Sequence, residues 1–284
     1  MKLQTCMGVV LALVATTLPA TAAPPAKEPD PALQRRIDEA LSKQGDMIAA
    51  AVSELTPERP STRDVYFIGV AGWGDQDVFR KEVRAVRSLF ERSFGAADRA
   101  LSLVNHAETL KVAPLATNDT IEATLAAVAG VMDPDEDLLV MFLTSHGEQW
   151  DGFNLLLNGA ELGRLKTAQF ARMLGATRIR NRVIIVSSCF SGQFVPALAE
   201  ENTLLITAAA SDRASFGCTS TADWTYFGEA FFKVALPKHK KFAPAFEEAR
   251  KRIEDREKRE GFTPSVPQIR VGERIRKVLD EMGL

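Results

Sequence analysis

The chain has 284 residues, of which 46% are hydrophobic and 25% charged, and its formal net charge at neutral pH is −2. This near-neutral balance gives no reason to expect nucleic acid or an anionic membrane surface as a partner. The length is sufficient for one sizeable α/β domain with its own core.

The first 22 residues have the pattern of a secretory signal peptide. Lys2 supplies a positive start, residues 7–14 an apolar core, and Ala20-Thr21-Ala22 a cleavage site. The apolar run is too short for a transmembrane helix, which needs about 20 residues, and no later segment is long and apolar enough. We therefore expect an exported protein, in the periplasm or outside the cell, that lacks residues 1–22.

Residues 23–60 are expected to form a linker and a helix, and residues 61–284 a single domain. The helical pattern covers residues 32–55 and is ended by Thr56-Pro57-Glu58-Arg59-Pro60. Beyond it, strands and helices alternate, which predicts crossover units and a parallel sheet. Strands are predicted at 65–71, 101–105, 137–145, 182–188 and 204–210, with a Pro-led edge strand at 267–271. Helices are predicted at 78–94, from Asn118 or Asp119 to 131, and at 165–175, 225–234 and 243–258, with a hairpin at 153–157.

Two apolar runs end in small polar residues that are followed first by a histidine and then by a cysteine. Leu138–Leu143 leads into Thr144-Ser145-His146-Gly147, and Val183–Val186 leads into Ser187-Ser188-Cys189. Parallel sheets carry their chemistry at the carboxyl ends of their strands. We therefore expect His146 and Cys189 at one edge of the sheet, on neighbouring strands. A thiol and an imidazole are what a cysteine nucleophile and its general base require.

Few other residues could supply this chemistry, because the chain has three histidines and three cysteines. Cys6 lies in the leader, His239 in a basic stretch, and His106 in a position typical of a surface loop. A disulfide between Cys189 and Cys218 is the structural alternative. Without the candidate pair no cluster has the spacing of zinc ligands, so we expect neither metal nor cofactor.

The segments Thr144-Ser145-His146-Gly147 and Ser188-Cys189-Phe190-Ser191-Gly192 together resemble the legumain-like cysteine peptidases of the caspase-like clan. The resemblance implies a caspase-like three-layer sandwich, in which helices cover both faces of a mostly parallel six-stranded sheet. Four further segments match in order: Gly72-Trp73, Phe79-Arg80, Thr207–Cys218 and Thr225–Glu229.

By this resemblance the chain is a cysteine endopeptidase that forms a thioester on Cys189, with His146 as general base and acid. The backbone N–H groups of Gly147 and Cys189 would stabilise the oxyanion. A helix starting near Gly192 and a protonated His146 would lower the pKa of the thiol. Asp75 resembles a family asparagine that lies near the histidine.

The resemblance also implies a peptide or protein substrate, bound by Arg80, Ser187, Ser215 and Glu229. Arg80 matches the family's first-subsite arginine, and Glu229 stands where the family has aspartate. Ser187 replaces the glutamate of asparaginyl endopeptidases, and Ser215 lies in a matching loop. Cleavage after Asn or Asp is therefore expected.

Two alternatives stay open at this point. A transpeptidase or ligase would use the same two residues and differ only in the acceptor of the acyl group. An exported caspase-like module could instead bind partners without catalysis.

Overall fold

The computed structural model describes residues 29–150 and 152–284, so the expected signal peptide and the first part of the linker lie outside the described residues. The strands are β1 (Val65–Ala71), β2 (Ala100–Val104), β3 (Leu138–Thr144), β4 (Gly147–Glu148), β5 (Gly152–Leu157), β6 (Ala160–Leu165), β7 (Asn181–Ser187), β8 (Thr203–Thr207) and β9 (Gln268–Val271). The helices are α1 (Pro31–Leu41), α2 (Gln44–Ser53), α3 (Asp77–Ser93), α4 (Asn118–Ala129), α5 (Thr167–Ala176), α6 (Val195–Leu198), α7 (Tyr226–Gly228), α8 (Leu236–His239), α9 (Phe242–Glu260) and α10 (Glu273–Met282). A 3₁₀ turn covers Ser191–Phe194, and a π-helical segment covers Glu229–Ala235.

The main sheet has six strands in the order β2-β1-β3-β7-β8-β9. Its first five strands are parallel, and β9 pairs antiparallel with β8 at the edge, as the Pro-led sequence predicts. Every residue of β1, β3, β7 and β8 is buried. Strands that are buried along their whole length are expected where helices cover both faces of a sheet. The predicted caspase-like α/β architecture is confirmed.

Side chains of the central strands alternate between two cores, one on each face of the sheet. In β3, Val140 and Phe142 pack in the core that contains α3 and α9, whereas Met141 and Leu143 pack in the core with α4 and α5. This alternation determines on which face of the sheet the side chain of each strand-end residue lies. The polar residue Thr144, which ends β3, therefore shares the face of α3.

Several local predictions need correction. The single helix expected over residues 32–55 is two helices, and α1 packs through Ile37 and Ala40 against Leu110 and Leu115. The cap of α4 is not Asn118 or Asp119 but the residue before them, Thr117, in a reciprocal capping box with Thr120. The expected hairpin is a three-stranded sheet of β4, β5 and β6, and α10 was not foreseen. Within the described ranges, no helix combines the length and apolar content needed to cross a membrane.

Candidate active site

His146 and Cys189 lie at the same edge of the main sheet, on the loops that follow two adjacent strands. The last residues of these strands, Thr144 and Ser187, are partners in the parallel β3–β7 register. His146 and Cys189 each lie two positions beyond this pair. The sequence prediction that they follow neighbouring strands is thus confirmed, because register carries both loops to the same place.

The His146 imidazole is held on several sides. Its Nε2 lies 2.6 Å from Oε1 of Gln76, and its ring packs edge-on against Trp73 and Phe79 at centroid distances of 4.6 and 5.3 Å. A carbonyl oxygen can only accept, so Nε2 carries the proton when this oxygen faces it, and Nδ1 is the basic nitrogen. Burial lowers the pKa of His146 to about 4, so the ring is neutral at neutral pH.

The Cys189 thiol lies against the backbone of Ser215. The Ser215 N–H donates to Sγ at 3.2 Å, and the thiol donates to the Ser215 carbonyl oxygen at 3.4 Å. Burial raises the pKa of Cys189, although the backbone N–H groups of Ser215 and Cys189 itself favour the thiolate. Cys189 and Cys218 are both free thiols, so the disulfide alternative is not realised in this structure.

The expectation that a protonated His146 lowers the thiol pKa receives no support, because burial lowers the pKa of His146 to about 4. Desolvation disfavours the charged form of both groups, so the pair is neutral. The helix expected near Gly192 is also reduced to a four-residue 3₁₀ turn followed by the four-residue α6. Such short segments lack the aligned peptide dipoles of a long helix, so they lower the pKa of the Cys189 thiol little.

Gly147 lies in close contact with the Cys189 turn. A Cβ at this position would come within 2.3 Å of the Cys189 carbonyl oxygen and 2.9 Å of Ser188 Oγ. Gln193 also joins the two loops, because its amide donates to the Glu148 carbonyl oxygen at 3.0 Å. The absence of a side chain at Gly147 therefore allows the loop after His146 to approach the Cys189 turn.

The Cys189 turn is fastened to the loop after β8. Phe190 has a positive φ of 57°, and its N–H donates to the Arg213 carbonyl oxygen at 2.8 Å. A Cβ at Gly192 would come within 2.5 Å of the Ser211 nitrogen. The loop after β8, which carries Ser215, is in this way held beside the thiol.

The two charged residues expected in the substrate pocket have separate partners. Arg80 pairs with Asp77 at 2.6 Å and with Glu108 at 3.1 Å. Glu229 binds Lys233 at 2.9 Å and Arg256 at 3.0 Å. The hydrogen bond from Lys233 lowers the pKa of Glu229, which stays ionised at mildly acidic pH. The prediction that both side chains face one pocket receives no support from these contacts.

Asp75 does not orient the histidine. Its carboxylate accepts hydrogen bonds from the backbone N–H groups of Asn158 and Gly159, at 2.6 and 2.8 Å. The neighbouring Gln76 contacts His146 instead. Ser187 is buried, and its hydroxyl lies 3.5 Å from that of Thr225.

Sequence reasoning missed Gln76 and a buried acidic residue, Glu82, which binds Thr144 and Thr225 behind the strand ends. One signal was available, since Glu82 interrupts an apolar stripe on α3. An acidic residue within such a stripe is buried at a cost and needs an explanation. In the described part of the chain, no group of three or more His, Cys, Asp or Glu residues could hold a metal ion.

Comparison with known proteins agrees with this architecture. The solved structure of caspase-1 from Spodoptera frugiperda is similar with a TM-score of 0.52 over 76% of this chain and 90% of that chain, at 11% sequence identity. That likeness concerns the fold alone. No curated protein matches the sequence significantly. The sequence profile of the Peptidase C13 family matches residues 117–277, which include both strand ends and the candidate His146–Cys189 pair. Because this match covers more than half of the chain, the chain belongs to the Peptidase C13 family.

Proposed function

We propose that this protein is a cysteine endopeptidase that cleaves peptide bonds through a thioester on Cys189, with His146 as general base and then general acid. Membership of the Peptidase C13 family and the caspase-like fold support cysteine peptidase activity. The observation that carries the proposal is the position of His146 and Cys189, each two residues beyond the paired Thr144 and Ser187.

In the proposed reaction, Nδ1 of neutral His146 takes the thiol proton as Sγ of Cys189 attacks the scissile carbonyl carbon. The negative charge that develops on the carbonyl oxygen is stabilised by the backbone N–H groups of Gly147 and Cys189. The C–N bond then breaks, the imidazolium gives its proton to the leaving amine, and the thioester remains. His146 next takes a proton from water, which attacks the thioester and releases the carboxylic acid and the thiol.

Burial keeps the imidazole of His146 unprotonated at neutral pH, which is the form that can accept the thiol proton. The same burial makes the imidazolium a strong acid once formed, so it protonates the leaving amine readily. Gln76 acts as a positioning residue, because its bond to Nε2 holds the ring and leaves Nδ1 as the basic nitrogen.

The loop that carries Ser215 is proposed to bind the substrate main chain. Its backbone N–H and carbonyl groups contact Sγ of Cys189 in the free protein. They are therefore backbone groups close to the reacting atom, where an extended peptide can exchange hydrogen bonds with them. Ser187, beneath the same turn, would border the first subsite.

We further propose cleavage after Asn or Asp, with Arg80 as the residue that recognises the side chain. The partner of its Nη1, Glu108, has a side chain that is 69% exposed, so this ion pair is weak and readily exchanged. Arg80→Ala should lower kcat/KM for Asn and Asp peptides, by an amount that corresponds to a loss of about 2–4 kcal/mol in transition-state stabilisation. Equal activity of the variant would make Arg80 structural. A wild-type preference for Lys or Arg would instead place an acid in the pocket.

The test of the proposed function is cleavage of a peptide library by the mature protein, with products identified by mass spectrometry. Cys189→Ala should produce no fragments, while the matched variant Cys218→Ala should cut at the same bonds as the wild type. Addition of an amine nucleophile reveals ligation if joined peptides form at the expense of hydrolysis. Absence of both products would favour a non-catalytic binding module.

Export is proposed together with this function. N-terminal sequencing of the protein purified from the periplasmic fraction or the medium should begin at or near Ala23. A protein that retains Met1 in the cytoplasm would contradict the proposal.

A further inference from the structure

A carboxyl group is buried behind the candidate dyad and takes no part in the proposed proton transfers. Glu82, in α3, has no exposed surface. Its Oε2 accepts from the Thr144 hydroxyl at 2.7 Å, and its Oε1 accepts from the Thr225 hydroxyl at 2.8 Å and from the Thr225 N–H at 3.1 Å. Three donors therefore satisfy a side chain that, when ionised, can only accept.

These contacts reach both halves of the dyad. Thr144 ends β3, two residues before His146, and bonds directly to Glu82. The Thr225 hydroxyl lies 3.5 Å from Ser187, which ends β7 two residues before Cys189. One carboxyl group thus links the last residue of each strand to α3 and to the start of α7.

Two features around Glu82 are structurally unfavourable: a carboxyl group is buried in an apolar core, and the facing helical position is a glycine. Glu82 shares the face of α3 that packs Phe79, Val83 and Val86, where an apolar side chain would avoid the desolvation of a carboxyl group. Gly228 lies opposite, and a Cβ there would come within 1.7 Å of Oε1 of Glu82. Gly228 has helical angles, φ −61° and ψ −41°, so its backbone does not require glycine. The missing side chain makes room for the carboxyl group.

We propose that Glu82 is a positioning residue that sets the spacing between His146 and Cys189 for acyl transfer. The proposal rests on the proposed function and deepens it. Nucleophilic attack needs Nδ1, Sγ and the carbonyl carbon aligned, and a misplacement of about 1 Å can cost about 100-fold in rate. Glu82 binds Thr144 directly and reaches Ser187 through Thr225. It therefore fixes the start of the His146 loop and the start of the Cys189 loop relative to each other.

The first experiment compares Glu82→Gln and Glu82→Ala with Asp137→Asn. Asp137 is a matched control, because it is equally buried but lies at the opposite end of β3 and accepts from the backbone N–H groups of Asp64 and Asp133. We expect kcat to fall about 10-fold in Glu82→Gln and about 100-fold in Glu82→Ala, with KM within about 2-fold. Asp137→Asn should leave kcat unchanged even if it melts at a lower temperature. Equal loss of kcat in the Asp137 and Glu82 variants would overturn the proposal.

The second experiment tests the same contact from the other side. Gly228→Ala should displace the Glu82 carboxyl and lower kcat, whereas Gly175→Ala should not, since a Cβ at Gly175 meets nothing within 4 Å. The double variant Glu82→Ala/Gly228→Ala should be little worse than Glu82→Ala, because the clash with Glu82 is gone and only the 3.1 Å contact with the Trp224 ring remains. Strictly multiplicative losses would mean that Gly228 acts independently of Glu82. That result would contradict the proposed arrangement.

A measurement without substrate separates failure of this proposal from failure of the proposed function. In ¹³C,¹⁵N-histidine-labelled protein, the His146 signal is assigned by its loss in His146→Ala. Glu82→Gln should shift that signal, whereas Asp137→Asn should leave it in place. A wild type without peptidase activity would refute the proposed function but not this prediction. An unmoved His146 signal in Glu82→Gln would refute the positioning role whatever the activity.

Discussion

Two buried carboxyl groups, one at the amino edge and one at the carboxyl edge of the parallel strands, have different kinds of partner. At the amino edge, Asp64 is buried and pairs with Arg59 at 2.6 Å and with Arg99 at 3.3 Å. At the carboxyl edge, buried Glu82 binds hydroxyl and N–H groups of Thr144 and Thr225 and forms no ion pair within the described ranges.

The difference indicates that the amino edge contributes to stability and the carboxyl edge to catalysis. An ion pair ties segments of the chain together, but it leaves no group free to exchange protons. At the carboxyl edge, by contrast, desolvation keeps His146 and Cys189 neutral and shifts the pKa of each away from its usual value. Titratable groups perturbed in this way are typical of functional sites. The comparison predicts that variants at the carboxyl edge lose rate, and variants at the amino edge lose stability.

The largest effect is expected from removal of the dyad. Cys189→Ala and His146→Ala should each lower kcat by at least about 10⁴-fold, because the nucleophile and its base act as one unit. Both residues lie on loops beyond the strands, so the fold should be retained, with a lower melting temperature in His146→Ala because its ring packs against Trp73 and Phe79. Cys218→Ala is the control and should stay active. Activity that depends on Cys218 and survives in Cys189→Ala would show that Cys218, and not Cys189, is the nucleophile.

A smaller loss of rate is expected from Gly147→Ala. The added Cβ would lie 2.3 Å from the Cys189 carbonyl oxygen, so one of the two loops must move. Displacement of an oxyanion donor should lower kcat by about 100- to 1000-fold. Gly45→Ala is a suitable control, since a Cβ there has no neighbour within 4 Å. Wild-type kinetics in Gly147→Ala would show that the approach of these loops is unimportant for catalysis.

The amino edge should respond in stability. Asp64→Asn keeps the shape of the side chain but removes the charge that Arg59 and Arg99 face, which should lower the free energy of unfolding by about 2–3 kcal/mol. Urea denaturation measures this loss, and kcat at a temperature well below the melting point should be unchanged. A large fall in kcat without loss of stability would remove the distinction between the two edges.

A further effect is expected in the pH dependence of stability. Burial holds the pKa of His146 at about 4, below the value of about 6.5 in the unfolded chain. Between these values the unfolded state binds the additional proton, so His146 lowers stability as the pH falls, by at most about 1.4 kcal/mol per pH unit. His146→Ala should therefore lose less stability than the wild type between pH 6.5 and 4. Parallel curves for the two proteins would contradict the low pKa, and His239→Ala serves as the control.

The strands that carry the site could be predicted to within one residue at each end. Continuous apolar runs define β3 and β7, and parallel register then places His146 beside the Cys189 loop. Gln76 and Glu82 could not be found in this way, because their partners lie at least 60 positions away in the sequence. A polar residue carries no periodic signal that names such a partner.

Sequence patterns also did not reveal the ion-pair partners of the charged site residues or the protonation states of His146 and Cys189. Arg80 and Glu229 each find a partner on the same helical segment, Asp77 three residues before and Lys233 four residues after. Local pairs of this kind compete with the long-range pocket that the resemblance implies. The neutral state of His146 and Cys189 depends on burial, which only the packed loops determine.

The most direct test of the central claim is mass spectrometry of the protein after reaction with a peptide that carries a thiol-directed electrophile in place of the scissile bond. We expect one adduct per chain, located on Cys189 in the digested protein, and its loss when His146→Ala is treated in the same way. Preincubation with a peptide that the enzyme cleaves should slow the reaction. An adduct on Cys218, or equal labelling of Cys189 in His146→Ala, would contradict the proposed dyad.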